Sequence, residues 1–134
     1  MPVFAQGIPL WSTLPTDPFL WLLCTNAWTP NQATDVHRDD ISAYEPTDGS
    51  YAAQSLVGGI ETVAGGNTSV SYTADDVLFP ALAGGDILTW AVLVSDTGSP
   101  ATDVILAAWP IVRITDGSDV PLTITTSLIQ FPVT

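Results

Sequence analysis

The chain has no lysine, two arginines, one histidine and one cysteine in 134 residues, and each scarcity removes a class of function. Without a basic footprint it cannot neutralise phosphates, so nucleic-acid binding is excluded. Fourteen acidic residues against those two arginines give a net charge of −12, whose field also opposes adhesion to an anionic membrane. A lone cysteine rules out an internal disulfide, and Cys24, set within Phe19-Leu-Trp-Leu-Leu-Cys-Thr25, reads as a buried, inert thiol. With His37 the sole imidazole and no lysine, Ser-His-Asp and Ser-Lys nucleophiles are almost excluded by inventory. No uninterrupted apolar stretch reaches the roughly 18 residues of a membrane span. The N-terminal segment lacks the basic region of a signal peptide and is broken by Pro2 and Pro9, so a product soluble where it is made is expected.

What is present argues for a folded chain. Hydrophobic residues make up 46% and charged residues only 12%, a balance that contradicts disorder despite the one-sided charge. The length suits one domain, residues 1–134, with a core large enough to need no covalent staple. Residues 1–18 carry prolines at 2, 9, 15 and 18, which forbid a helix and favour an extended or polyproline-like arm. Phe4, Ile8, Leu10, Trp11 and Leu14 on that arm need a cover, supplied either by the chain's own domain or by a neighbouring subunit or partner. They are the candidate assembly contacts.

From residue 19 onward the pattern is that of a β core. Residues 19–28 are apolar on both parities until Thr25, as in a central strand buried on both faces. Residues 28–54 form a long polar connection, within which 35–44 suit one or two helical turns ended by Pro46. Ile60–Ala64 and Thr68–Tyr72, separated by Gly65-Gly66-Asn67, read as a hairpin. Asp86–Ser95 and Asp103–Ile114 are again apolar on both parities and read as an antiparallel pair at the centre of the sheet. Pro110 places an edge or a bulge in the second of these. In the last segment the apolar parity changes from Leu122 and Ile124 to Ile129, Phe131 and Val133, which predicts a bulge or bend near Ser127-Leu128. The expected fold is all-β: an antiparallel sandwich or small barrel of about seven strands, with a short helical piece near 35–44.

The polar connection holds the candidate exposed acidic loop, Asp35, His37, Arg38, Asp39 and Asp40. It is the one place where metal-ligand side chains cluster along the chain. There is no second histidine to complete a zinc site, and the Asp-x-Asn-x-Asp-Gly pattern of a calcium loop is absent. The better reading is a solvated acidic turn with His37 beside a carboxylate, so no metal and no cofactor is expected. Asp75 and Asp76 precede a strand and point to opposite faces, unsuited to shared-proton chemistry. Gly58-Gly59, Gly65-Gly66 and Gly84-Gly85 lack the Gly-Lys-Ser/Thr ending of a phosphate loop. Five tryptophans could build a sugar-stacking platform, but Trp21, Trp90 and Trp109 lie inside strand runs, where core packing is expected. No catalytic residues are predicted.

Four segments in order, Trp28-Thr-Pro-Asn31, Thr34-Asp-Val-His-Arg-Asp-Asp-Ile-Ser-Ala-Tyr-Glu45, Asp48-Gly-Ser-Tyr51 and Tyr72-Thr-Ala-Asp-Asp-Val-Leu-Phe79, resemble small β-rich virion proteins of tailed bacteriophages. The match spans roughly residues 17–113, with Ser50 where that family usually has a second glycine and Phe79 where tryptophan is common. The resemblance implies a structural role, foremost a head decoration or cement protein on the outer capsid, made in the host cytoplasm and located in the virion. The partners it implies are the major capsid protein and further copies of the chain, as a homo-oligomer such as a trimer. The alternatives are a carbohydrate- or receptor-binding module of a tail or spike, and a tail-tube or connector subunit. An acidic surface away from the genome and an apolar arm buried on assembly suit the first reading.

Overall fold

Strand β1, Phe19–Thr25, begins directly after Pro18, and its side chains alternate between two cores. Phe19, Trp21 and Leu23 enter the larger core, while Leu22 and Cys24 enter the smaller one. This is why the segment is apolar on both parities. The structure is a computed structural model and describes residues 3–63, 69–124 and 128–132. β1 lies in an antiparallel four-stranded sheet with β2 (Gln54–Ser55), β6 (Ile87–Ser95) and β7 (Ile105–Ile114), in the order β2-β1-β6-β7. On one face of this sheet lie β3 (Ile60–Val63), β4 (Ser69–Thr73) and β9 (Ile129–Pro132), ordered β3-β4-β9, and the pair β5 (Val77–Phe79) and β8 (Val120–Leu122). Tyr72, Phe79, Val120, Leu122 and Ile129 from these strands pack with Trp21, Ala91 and Leu93 in the larger core. The all-β sandwich expected from the pattern is present.

The centre of the main sheet is β1–β6, and β7 is its edge strand, not a member of a central pair. Pro110 marks both features anticipated for it. β7 is an edge, and the β6–β7 register shifts between Leu88 and Trp90, opposite Arg113 and Pro110. A second shift at Leu93/Val94 lets Leu106 and Ala107 both face the larger core. β3 and β4 pair antiparallel as expected, from Ile60↔Thr73 to Val63↔Val70, while the Gly65-Gly66-Asn67 turn lies outside the described residues. The parity change near the C-terminus has a larger cause than a bulge. β8 pairs with β5 and β9 pairs with β4, so the chain changes sheets between Leu122 and Ile129; Ser127 itself lies outside the described residues.

The N-terminal arm is neither extended nor free. Residues Ala5–Thr13 form a 3₁₀ helix with Pro9 inside it. Short i→i+3 turns accept a proline more readily than an α-helix does. The arm crosses the outer edge of β7. Val3 bridges Ala107, and the Phe4 N–H donates to the Leu106 carbonyl at 2.9 Å. Phe4 is buried in the smaller core on one face, stacked 6.5 Å from Trp28, whereas Trp11 and Leu14 are buried in the larger core on the other. At about 1.5–3 kcal/mol for each large apolar side chain removed from water, these contacts make the arm integral to the domain.

Candidate functional site

The face of the main sheet opposite β4 and β8 is covered by the connection from Asn26 to Ala53. Its helical piece falls within the stretch predicted for it: α1, Arg38–Ile41, runs on into a 3₁₀ turn, Ser42–Tyr44. The Asp40 carboxylate starts the helix by accepting the backbone N–H groups of Val36 (3.0 Å) and His37 (2.9 Å). Those two bonds hold the Asp40 carboxyl below the usual carboxylate range. Ile41, fully buried, anchors the helix in the smaller core beside Leu22, Cys24 and Trp28. Backbone bonds from Arg38 N to Asp103 O and from Ile105 N to Val36 O, each 2.9 Å, stitch the connection to the start of β7.

Beneath the helix lies a half-buried polar relay. Arg38 grips Glu45 with two nitrogens, Nε to Oε2 at 3.2 Å and Nη2 to Oε1 at 3.1 Å. The Tyr51 hydroxyl donates to Glu45 Oε1 at 2.6 Å and accepts the Leu23 N–H of β1 at 3.3 Å. Burial and the adjacent Glu45 carboxylate push the Tyr51 hydroxyl pKa far up, and burial does the same to the Cys24 thiol. Both groups therefore stay protonated and inert at neutral pH. The relay satisfies a strand N–H beyond the end of two-residue β2 and ties the covering connection to β1.

The predicted acidic loop is less exposed than expected. Asp39 and Asp40 are exposed, but Asp35, His37 and Arg38 are half-buried and engaged. The Asp35 carboxylate accepts the Trp28 indole N–H at 3.0 Å and the Asn31 N–H at 2.9 Å, closing the Thr-Pro-Asn turn. His37, Asp39 and Asp40 do bring possible ligand atoms within 4.8 Å of one another. One Asp40 oxygen, Oδ2, also accepts the two N–H groups that start the helix. Of the predicted assembly contacts, Phe4, Trp11 and Leu14 are core residues and unavailable to a partner; Leu10 is half-buried and Ile8 stays exposed at 49%. They were legible as apolar side chains needing a cover, and the cover is the chain's own sheet.

Sequence reasoning missed the fasteners supplied by single acids. Asp48 accepts the N–H groups of Ser50 and Ala83, which holds its carboxyl below the usual range. Asp103, 1% exposed, accepts from Thr97 N and Thr97 Oγ1 at 2.7 Å each and closes the β6–β7 loop. Their partners lie on other loops or in no periodic pattern, so spacing carried no signal for them. The tryptophans are packed rather than displayed. Trp21 lies 5.4 Å from Trp109, and Trp28 lies 6.1 Å from Trp90 in an edge-to-face pair. A partly open groove of about 260 Å³ lies between β7 and the segment after β8, lined by Trp21, Trp109, Ile111, Pro121 and Ile124. Among the described residues no helix is long and apolar enough to cross a membrane. No protein-family model, curated protein or solved structure matches the chain.

Proposed function

We propose that the chain is a structural virion protein of a tailed bacteriophage, specifically a capsid decoration or cement protein that binds the major capsid protein on the outer head surface. The observation that carries this reading is what the four resembling segments do. Trp28 and Asp35 close one turn, Arg38, Glu45 and Tyr51 form the relay, and Asp48 pins the loop before β6. Phe79, from the last segment, stacks parallel to Tyr51 from the third at 6.0 Å. The resembling residues thus hold covers on both faces of the main sheet, Trp28 in the smaller core and Phe79 with Tyr51 in the larger, an architectural task that supports a structural role.

Burial of Trp21 and the packing of Trp90 and Trp109 count against the sugar-binding alternative, which needs an accessible aromatic platform. Phe4, Trp11 and Leu14 belong to the core and offer no docking contact. The test is co-sedimentation of the full-length protein with empty heads of the parent phage, with Ile8→Asp alongside to probe the exposed apolar position left on the arm. Saturable binding of the full-length protein is expected. Indifference to the heads sinks the cement role, and growth of the pure protein into rings or tubes moves the assignment to a tail-tube or connector subunit.

A further inference from the structure

The second half of β7 is an open sheet edge. Val3 and Phe4 cover Ala107 and Leu106, and residues 36–38 cover the start of the strand. Beyond Ala107, among the described residues, no strand pairs with the outer edge of β7. Trp109 and Ile111 pack toward the larger core, so alternation turns Pro110, Val112 and Ile114 to the other face. Ile87, the cross-strand partner of Ile114, joins them there. Val112 is 92% exposed, Ile114 61% and Ile87 43%, giving an apolar patch along an unpaired edge.

We propose that this edge is a self-association surface: two copies pair antiparallel through residues 110–114 about a two-fold axis near Val112, joining their four-stranded sheets into one. Charge confines any pairing with a second copy to a stretch free of acids. Chains of −12 repel over most of their surfaces, yet β6 and β7 contain no acidic residue, and the exposed Arg113 lies within the paired stretch. An antiparallel pairing about a two-fold is self-complementary, placing Val112 against its counterpart and Pro110 opposite Ile114 of the other copy. It is also closed. The far side of β7 is held by β6, the first half of the edge by the chain's own arm, and Pro110 supplies no donor for a longer ladder. The association is two-fold, in place of the trimer the resemblance suggests, and it does not depend on a virion role.

Sedimentation velocity on the full chain, from micromolar to millimolar protein at low and high salt, tests this. A monomer–dimer equilibrium that tightens with salt is expected, because salt screens the repulsion between two acidic bodies. Val112→Lys should weaken the dimer by at least about tenfold without shifting the melting temperature, while Ile8→Lys leaves it unchanged. A chain that stays monomeric at millimolar concentration in high salt overturns the proposal. So does a trimer, a dimer indifferent to Val112→Lys, or association that weakens with salt.

Discussion

Gly7 sits where the arm meets the sheet. A Cβ at this position would lie 2.5 Å from the Leu106 Cα and 2.7 Å from the Ile105 carbonyl oxygen, both backbone atoms that cannot give way. Gly7→Ala is therefore expected to lower stability by about 1–3 kcal/mol, read from denaturant unfolding. Gly49→Ala is the control, since nothing lies within 4 Å of a Cβ there. In the sequence Gly7 looks like one more residue of a proline-rich linker, because the strand it touches follows almost a hundred positions later. Residues whose surroundings are local were legible. Cys24 and Trp21 sit inside an apolar run and are core. Glu45 was not, since its role depends on Tyr51 reaching across to the Leu23 N–H.

Among the elements, the strands with the strongest hydrophobic signal were found and their neighbours were not. Apolar residues on both parities identify β1, β6 and β7 as strands, and cover on both faces holds for β1, most of β6 and the first half of β7. The same signal cannot say that β7 is an edge, because its outer cover comes from the arm and the covering connection instead of a strand. The loops between elements are held by carboxylates, and this makes stability depend on pH. Asp40, Asp48 and Asp116 all have carboxyls held below the usual range, the first two chiefly by backbone N–H donors and Asp116 by the Ser118 hydroxyl and then the Ser118 N–H. A folded-state pKa below the unfolded value gives stabilisation that is complete above the unfolded value, about 4, and is lost as pH falls through the folded one. The melting temperature should fall as pH drops below about 4, and more shallowly in Asp48→Asn, which cannot protonate but leaves Asp40 and Asp116 in place. An unchanged slope would mean that the bonds to Ser50 and Ala83 contribute nothing to folding.

For the molecule as a whole, the all-β class followed from composition and turn spacing, while the packing of the two cores did not. The arm joins them. Phe4 fills one core and Trp11 and Leu14 the other, all within 2% of complete burial. The full chain is expected to unfold in a single cooperative transition by circular dichroism, and deleting residues 1–14 should abolish it, instead of trimming a docking appendage. A truncated chain that melts within a few degrees of the full one would place the arm outside the cooperative unit. The arm is helical where its prolines predict extended chain, because proline excludes the α-helical ladder and not the tighter i→i+3 turns that lie here on a strand.

The clasp of the arm on β7 also orders events in time. Phe4 leaves the ribosome about a hundred residues before its partner Leu106, several seconds earlier at about 5–20 residues per second. Until then Phe4, Trp11 and Leu14 have no sheet to close upon. On a polysome, where nascent copies crowd together, the first edge to appear can belong to a neighbour, and an arm that closes on it yields an exchanged dimer with the same contacts as the monomer.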